Sequence, residues 1–414
     1  MYSSLIQDRG VLVSFIPTIR ISTLDGSSYW SSNRNSTNNA WNSNGNNGNF
    51  NNNNLYNTNV SLPSLNYQRI NMITLDNIIE AYMLARANKR KSADQVEFEL
   101  HWEANCLKLY EDIVNRRVQP TAYTFIIDYP KPREVFASDM STRILHHYLD
   151  MRLRVLLERK LSPHTYNNRI GMGQTACQNA VISDIYEVSK GFTRDAWIIK
   201  VDLSGCFPNI RQDIAYKQFE NLIIEDYISE DKDELLYILQ ICIFSYPTLH
   251  CYRKSDISKW RKIKADKSLF NKPLGTGAAI GHLIWQCAVN YYFNDIDWWL
   301  IENGIKFERF VDDFFVITNN KSFLLMLPEL RRRLSLLGAS LNETKLYCQH
   351  YTKGVECLGT HIKMDRIYIN NRIVNRALIK TKRLNKRIDE RHVEKLLSTL
   401  NSYLGICKNL NGFN

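Results

Sequence analysis

The sequence predicts an α+β chain with a low-complexity N-terminal arm, and three observations predict it. Residues 27–60 are dominated by Asn and Ser and hold almost no aliphatic side chain. From Met72 to Tyr186, apolar residues recur mostly at helical spacing. Farther on, three short runs rich in aromatic and β-branched residues each adjoin an aspartate: Trp197–Val201, Phe310-Val311 and Phe314–Ile317.

The bulk properties narrow the class. A length of 414 residues leaves room for two or three domains, and 44% hydrophobic content is ordinary for a globular chain. A net charge of +11 and a pI near 9.1 favour a polyanionic partner. The nine cysteines form no Cys-x-x-Cys pair, which argues against a zinc site or a disulfide framework and makes a reducing cytoplasm the expected location. The N-terminus lacks a basic start followed by an apolar core, so no export signal is expected. No apolar run approaches the length of about 20 residues that spans a bilayer, so no membrane association is expected.

In chain order, Val11–Ile19 reads as a strand of no evident function, and the Asn-rich stretch after it reads as disordered. Between Ser31 and Asn54 the only charge is Arg34, and too little apolar surface is present to offset the entropy of ordering. Order resumes at Met72 with a helix to Arg86, capped by Thr74 or Asp76. A second amphipathic helix is expected from Asp94 to Asn115, carrying Phe98, Leu100, Trp102, Leu107, Leu109 and Ile113. Thr124–Tyr129 reads as a strand ending in Pro130-Lys-Pro-Arg-Glu-Val, and a further helix starts near Arg143. A glycine-punctuated segment from Tyr166 leads into a helix through Tyr186, and Trp197–Val201 is a strand that Gly205 and Pro208 terminate.

The acids carry the chemistry. Asp312 and Asp313 lie between two strand-like runs, which places them at a hairpin turn in reach of solvent. Buried without a partner, such carboxylates would cost several kcal/mol or protonate, so the pair wants a cation. A polar Asp-Asp turn without function is the competing reading, and Asp202 at a strand end would alone read as a helix cap. Together, Asp202 and Asp312 make a set suited to two divalent ions about 3.5–4 Å apart, as in phosphoryl or nucleotidyl transfer. Carboxylates suit Mg²⁺, with Mn²⁺ as a substitute.

The order of these parts resembles a reverse transcriptase over roughly residues 72–400. Asp202 is followed by Phe207, then by Leu274-Gly-Thr-Gly-Ala-Ala-Ile-Gly-His282, Phe310-Val-Asp-Asp313, Leu341-Asn-Glu-Thr-Lys345 and Val355-Glu-Cys-Leu-Gly-Thr-His-Ile362. The resemblance implies a right-hand polymerase fold, with fingers at 72–195, a palm of antiparallel sheet on helices at 196–362 and a short basic helical thumb at 363–414. It implies that Asp202, Asp312 and the Leu203 carbonyl hold the metal ions, with Asp313 assisting, and that Lys345 protonates the pyrophosphate leaving group. Phe207 matches the bulky residue that excludes a ribose 2′-hydroxyl and so selects dNTPs. Lys131, Arg133, Arg169 and Gly277 match nucleotide-binding positions. Gly281, His282, Leu358 and Gly359 match template and primer positions, and Lys382, Arg383, Lys386 and Arg387 would line a duplex from the thumb.

Lys131-Pro-Arg-Glu134, Arg143-Ile-Leu-His-His147, Arg309-Phe-Val-Asp-Asp-Phe314 and Lys345–Gly359 are similar to the reverse transcriptases of diversity-generating retroelements. The middle motif departs from that branch's Leu-Pro-x-Gly-x-x-x-Ser-Gln at Gly275, Gly281 and His282; the two glycines are expected to loosen the turn. In that light, residues 1 to about 70 read as a template repeat translated in frame, with Met72 as the start of the polymerase. The expected partners are an RNA template, a DNA or RNA primer, dNTPs and a basic accessory protein. No maturase, endonuclease or RNase H segment is recognised, which argues against a mobile group II intron enzyme. Two rivals stay open: a related bacterial reverse transcriptase acting in phage defence, and a non-catalytic nucleic-acid-binding relic.

Overall fold

The computed structural model describes residues 73–87, 92–128, 131–364, 366–386 and 390–408. The N-terminal arm, its Val11–Ile19 strand, the Met72 start and Arg387 lie outside the described residues.

The first helix, α1 (Leu75–Arg86), begins where Thr74 and Asn77 bond reciprocally, each side chain taking the other's backbone N–H. Thr74 is therefore the cap, and Asp76 sits in the first turn, where its charge faces the positive end of the helix dipole. The single helix expected from Asp94 to Asn115 is two, α2 (Ala93–Leu100) and α3 (Trp102–Val114), broken at His101 with φ −136°. The break has a packing reason. It brings both Phe98 and Trp102 onto the Tyr82 ring, at 5.6 and 5.5 Å between centroids. The Phe98 carbonyl at the break accepts from the His101 N–H at 3.3 Å and also from Asn105 Nδ2 at 3.0 Å. Leu100 and Leu107, expected in the apolar stripe, are exposed.

Strand β1 (Ala122–Ile127) pairs antiparallel with β2 (Arg133–Ser138). The sequence reading ended the strand at Tyr129 and missed β2, because Glu134, Val135 and Phe136 are all buried and break the expected alternation. Helix α4 (Met140–Lys160), capped by Asp139 on the Thr142 N–H, runs through the core, and α5 (Gln174–Val188) starts after Gly173. Next come β3 (Trp197–Asp202), the single turn α6 (Cys206–Asn209), and two helices the sequence reading did not place, α7 (Gln212–Asp226) and α8 (Lys232–Ile243). Strand β4 (Cys251–Arg253) then joins β1 in parallel, giving the sheet order β2-β1-β4. Residues assigned by sequence to the palm thus contribute a strand to a sheet whose other two strands were assigned to the fingers.

Helices α9 (Leu283–Tyr292) and α10 (Asn294–Glu302) precede the hairpin β5 (Lys306–Phe310) and β6 (Asp313–Thr318), followed by α11 (Phe323–Leu336) and β7 (Tyr347–His350). The central sheet has the order β5-β6-β3-β7 with every neighbour antiparallel. Both of its faces are covered. Ile199, Val201, Phe314 and Val316 enter the main core with α4 and α7–α9, while Ile198, Phe315 and Ile317 pack with Cys177, Val181 and Ile185 of α5. This two-sided burial is why these strands read as unbroken apolar runs. Each such buried Phe or Ile contributes about 2–3 kcal/mol, so the sheet that carries the acids is rigid.

A small sheet of β8 (Val355–Cys357), β9 (Thr360–Ile362) and β10 (Ile367–Ile369) leads to α12 (Asn371–Asn385) and α13 (Glu390–Lys408). Among the described residues, no helix is long and apolar enough to cross a membrane.

Candidate active site

The three acids meet at the ends of two neighbouring strands. Asp202 closes β3 and stands directly opposite Asp313, the first residue of β6. The β5–β6 hairpin turns through Val311 and Asp312, since Phe310 pairs with Asp313. The Leu203 N–H donates to the Asp312 carbonyl at 3.3 Å, tying the turn to the end of β3.

Val311 has φ +61°, a left-handed conformation that a β-branched residue adopts only under constraint, at a cost of about 1–3 kcal/mol. The constraint is Arg309. Its side chain is fully buried and pairs with the equally buried Asp297, Nε to Oδ1 at 2.8 Å and Nη2 to Oδ2 at 2.5 Å. Nη2 also donates to Thr165 Oγ1 (3.1 Å) and to the Asn290 carbonyl (2.9 Å). The remaining arm, Nη1, donates to the Val311 carbonyl at 3.1 Å. One guanidinium thus clamps the strained turn to α9 and α10. The sequence reading treated Arg309 only as part of a motif; a charged residue inside an apolar strand was the signal that it must be paired.

Electrostatics at the turn favour a cation. Burial first, then the Asp313 and Asp202 carboxylates, push Asp312 up to about 7, and burial also raises Asp313. The Arg133 charge acts the other way on Asp312. Asp202 is held on both oxygens: Lys345 Nζ lies 2.6 Å from Oδ1, and Asn342 Nδ2 donates to Oδ2 at 2.9 Å. Thr344 Oγ1 donates to Asn342 Oδ1 at 2.8 Å, which fixes the amide with its NH₂ toward Asp202. Asn342 is a site residue that sequence reasoning quoted but gave no role. Lys200 Nζ is 3.7 Å from Asp313 Oδ1.

Among the described residues, no group of three or more His, Cys, Asp or Glu is arranged so as to hold a metal ion by itself. The donor set nevertheless fits Mg²⁺, which takes one or two carboxylates and completes its shell with water and substrate phosphates. Burial is the main cause of the raised Asp312, and the smaller share that comes from Asp313 and Asp202 is a like-charge repulsion that a divalent cation relieves.

The other expected residues divide into those near the acids and those spent on structure. Phe207 is half-buried on α6, and its carbonyl accepts from Ala278 N at 2.7 Å. Lys131 is exposed, and Arg133 opens β2. Arg169 is placed differently from the expectation. Its side chain is 7% exposed and bonds Glu158 Oε2 (2.9 Å) and the Ser162 and Thr165 carbonyls (2.6 and 3.0 Å), so it braces a loop instead of facing a triphosphate. Gly277 is also engaged in structure. It is buried with φ +98°, its N–H donates to Ile210 O at 2.7 Å and its carbonyl accepts from Gln212 Nε2 at 2.8 Å, so its N–H is not free for a nucleotide.

The expectation of a loosened glycine turn is corrected at Gly281, while a Cβ on Gly275 would meet nothing within 4 Å. A Cβ on Gly281 would lie 2.4 Å from the Phe136 carbonyl oxygen, and the neighbouring Ile280 carbonyl accepts from Phe136 N at 2.8 Å. Gly281 permits close docking on β2, and serine does not fit there. His282 is 1% exposed and lies against His146, 5.0 Å between ring centroids, so its side chain faces the core and not a template.

Leu358 and Gly359 form the two-residue turn between β8 and β9 with φ +48° and +88°, both left-handed as the tight hairpin requires. Gln174 Nε2 holds the Leu358 carbonyl at 2.6 Å, and Gln178 Nε2 bonds Thr360 Oγ1 at 2.9 Å, so α5 anchors this turn. Lys382, Arg383 and Lys386 are exposed at the end of α12.

An antiparallel sheet presenting paired aspartates at a hairpin turn and a third at the adjoining strand end defines the polymerase palm class. Residues 131–362 match the family described as "Reverse transcriptase (RNA-dependent DNA polymerase)", and the chain belongs to that family. A segment of 102 residues is 29% identical to the "Putative COX1/OXI3 intron 1 protein" of Saccharomyces cerevisiae, covering 24% of this chain and 11% of that one. Among solved structures, the chain is similar to apo telomerase from Candida tropicalis truncated from its C-terminal domain (TM-score 0.44, 14% identity, 65% of this chain and 60% of that one). It is also similar to telomerase from Candida albicans in complex with a fragment of telomeric RNA (TM-score 0.43, 13% identity, 67% of this chain and 50% of that one).

Proposed function

We propose that the chain is an RNA-directed DNA polymerase that copies a template-repeat RNA into cDNA for a diversity-generating retroelement. The observation that carries the enzymatic reading is the convergence of Asp202, Asp312 and Asp313 on two strand ends, with Asp312 driven up to about 7 by burial and, after it, by the two neighbouring acids. Asp202, Asp312 and the Leu203 carbonyl would hold two Mg²⁺ ions, with Asp313 in support and Mn²⁺ as a substitute. Bound there, the ions would supply charge stabilisation for the attacking and leaving oxygens of a nucleotidyl transfer.

The chain's own groups do the rest. Arg309 fixes the turn that carries Asp312, and Asn342 fixes the Asp202 carboxylate. Lys345, paired with Asp202 and with its side chain half exposed, would give a proton to a departing pyrophosphate. Phe207 would close the space beside a ribose 2′ position, while Lys131 and Arg133 meet phosphate charge. Leu358 and Gly359 would grip a primer, and Lys382, Arg383 and Lys386 of the thumb would follow the duplex backbone. The fingers, palm and thumb division at 72–195, 196–362 and 363–414 is part of this reading, as are a basic accessory subunit and a cytoplasmic location.

The retroelement role rests on the motif series and on the Asn-rich arm as an in-frame repeat. Against the relic reading, the tight docking of Gly281 supports a formed turn instead of a decayed one. The test is primer extension on poly(rA)/oligo(dT) with Mg²⁺ or Mn²⁺, together with the sequence of the DNA around the gene. The reading expects incorporation well above an Asp312→Asn control and, around the gene, a repeat pair with a target gene. A defence operon there would favour the phage-defence rival. No incorporation with either metal, with or without accessory protein, would favour the relic.

A further inference from the structure

Lys200 stands on β3 two residues before Asp202, and so on the same face of the central sheet. It interrupts the apolar run Trp197–Val201, and only 15% of its side chain is exposed. An ammonium drawn that far out of water must find partners. Nζ lies 3.7 Å from Asp313 Oδ1, donates to the Glu356 carbonyl at 3.1 Å and sits 5.3 Å over the Phe315 ring. These partners belong to different sheets. Asp313 starts β6, which pairs with β3, whereas Glu356 is the middle residue of β8 in the small sheet. Tyr347 of β7, directly opposite Lys200 in the register, meets the Glu356 backbone as well.

Glu356 passes the connection on. Its side chain accepts from Asn370 Nδ2 at 2.9 Å, and Asn370 Oδ1 caps α12 by accepting the Arg372 N–H at 3.0 Å. The Asn370 N–H donates to the Gly359 carbonyl at 3.2 Å. Glu356, the Leu358-Gly359 turn and the start of α12 are therefore one hydrogen-bonded unit, and Lys200 Nζ joins that unit to the carboxylate cluster. A loose surface ion pair would contribute little to such a joint. Here the ammonium is largely shielded from water, where charge-assisted bonds are stronger and more directional.

We propose that Lys200 is a positioning residue that holds the acid turn at a fixed spacing from the β8–β9 turn and the start of α12, and so sets where a primer end meets the acids. The proposal rests on the polymerase reading above and adds to it a residue that acts through Asp313 and Glu356.

The experiment uses two variants of the full chain. Lys200→Met keeps the stem and removes the ammonium. Asn370→Ser, at the far end of the connection, keeps a helix cap and loses the donor to Glu356. In primer extension on an RNA template, Lys200→Met should lower kcat about tenfold to a hundredfold, the loss expected when reacting groups shift by about 1 Å. Its KM values for template–primer and dNTP should stay within about twofold of wild type. A second readout needs no turnover: Mn²⁺ binding to the protein alone, followed by electron paramagnetic resonance. Removing a positive charge beside Asp313 should tighten Mn²⁺ about threefold or more, whereas a collapsed site would bind it more weakly. Asn370→Ser should lower kcat about threefold with Mn²⁺ binding unchanged. A wild-type kcat in Lys200→Met, or a loss of kcat accompanied by weaker Mn²⁺ binding, would overturn the proposal while the polymerase reading stands. If urea unfolding shows that Lys200→Met folds poorly, Asn370→Ser decides, and a wild-type kcat there overturns the proposal. Wild-type protein that neither extends a primer nor binds Mn²⁺ would instead overturn the polymerase reading.

Discussion

Replacing Arg309 separates what holds the fold from what holds the catalytic turn. Arg309→Met strands the fully buried Asp297 carboxylate and removes the bonds to Thr165, Asn290 and Val311. Breaking a buried pair on one side costs about 3–5 kcal/mol, a large share of the roughly 5–15 kcal/mol that stabilises a typical domain. Adding Asp297→Leu removes the stranded charge, so the double variant should recover most of that loss in urea unfolding. Its activity should not recover, because the Val311 carbonyl still lacks its donor and the left-handed turn is free to relax. Relief of about 1–3 kcal/mol of strain misplaces Asp312 and should lower the single-turnover rate by roughly tenfold to a hundredfold. A double variant that regains both wild-type stability and wild-type rate would refute the idea that Arg309 positions the turn.

Three further outcomes follow from particular contacts. Gly281→Ala meets the Phe136 carbonyl at 2.4 Å in a backbone conformation with φ +112°, so urea unfolding should show a loss of about 3 kcal/mol. His282 is held by burial at about 4, below the usual histidine value near 6.5. Between those values the unfolded chain binds more protons than the native one, so stability falls as pH drops from about 6.5 to about 4, by up to about 3 kcal/mol. His282→Leu should flatten that acid limb in denaturation measured at pH 7, 6 and 5, and an unchanged limb would contradict the buried placement. Phe207→Ala should raise incorporation of rNTPs relative to dNTPs by about tenfold or more in single-nucleotide extension.

Much of the site was legible because the chemistry forced the sequence. The apolar runs beside Asp202, Asp312 and Asp313 were readable as strands from their own residues, whereas their union in one antiparallel sheet came from the family resemblance. What escaped was interaction at long sequence separation. Arg309 finds Asp297 on a helix, Asn342 reaches back to Asp202, and Glu134 captures a loop more than a hundred residues later. None of these pairings leaves a periodic trace. Position alone also misled: Arg169 and His282 stand at matching places in the motif order, yet one braces a loop and the other fills the core. The break at His101 was hidden because helical spacing continues across it, and only the Tyr82 ring explains why the chain bends there.

The most direct measurement is single-nucleotide incorporation by wild type, Asp202→Asn and Asp312→Asn on an RNA template with a DNA primer, alongside template–primer affinity. Each substitution keeps the size of the side chain and removes one negative charge from the cluster. The account predicts that each lowers the incorporation rate by at least about a thousandfold, about 4 kcal/mol of barrier, with affinity unchanged. Incorporation by either variant at the wild-type rate would contradict it.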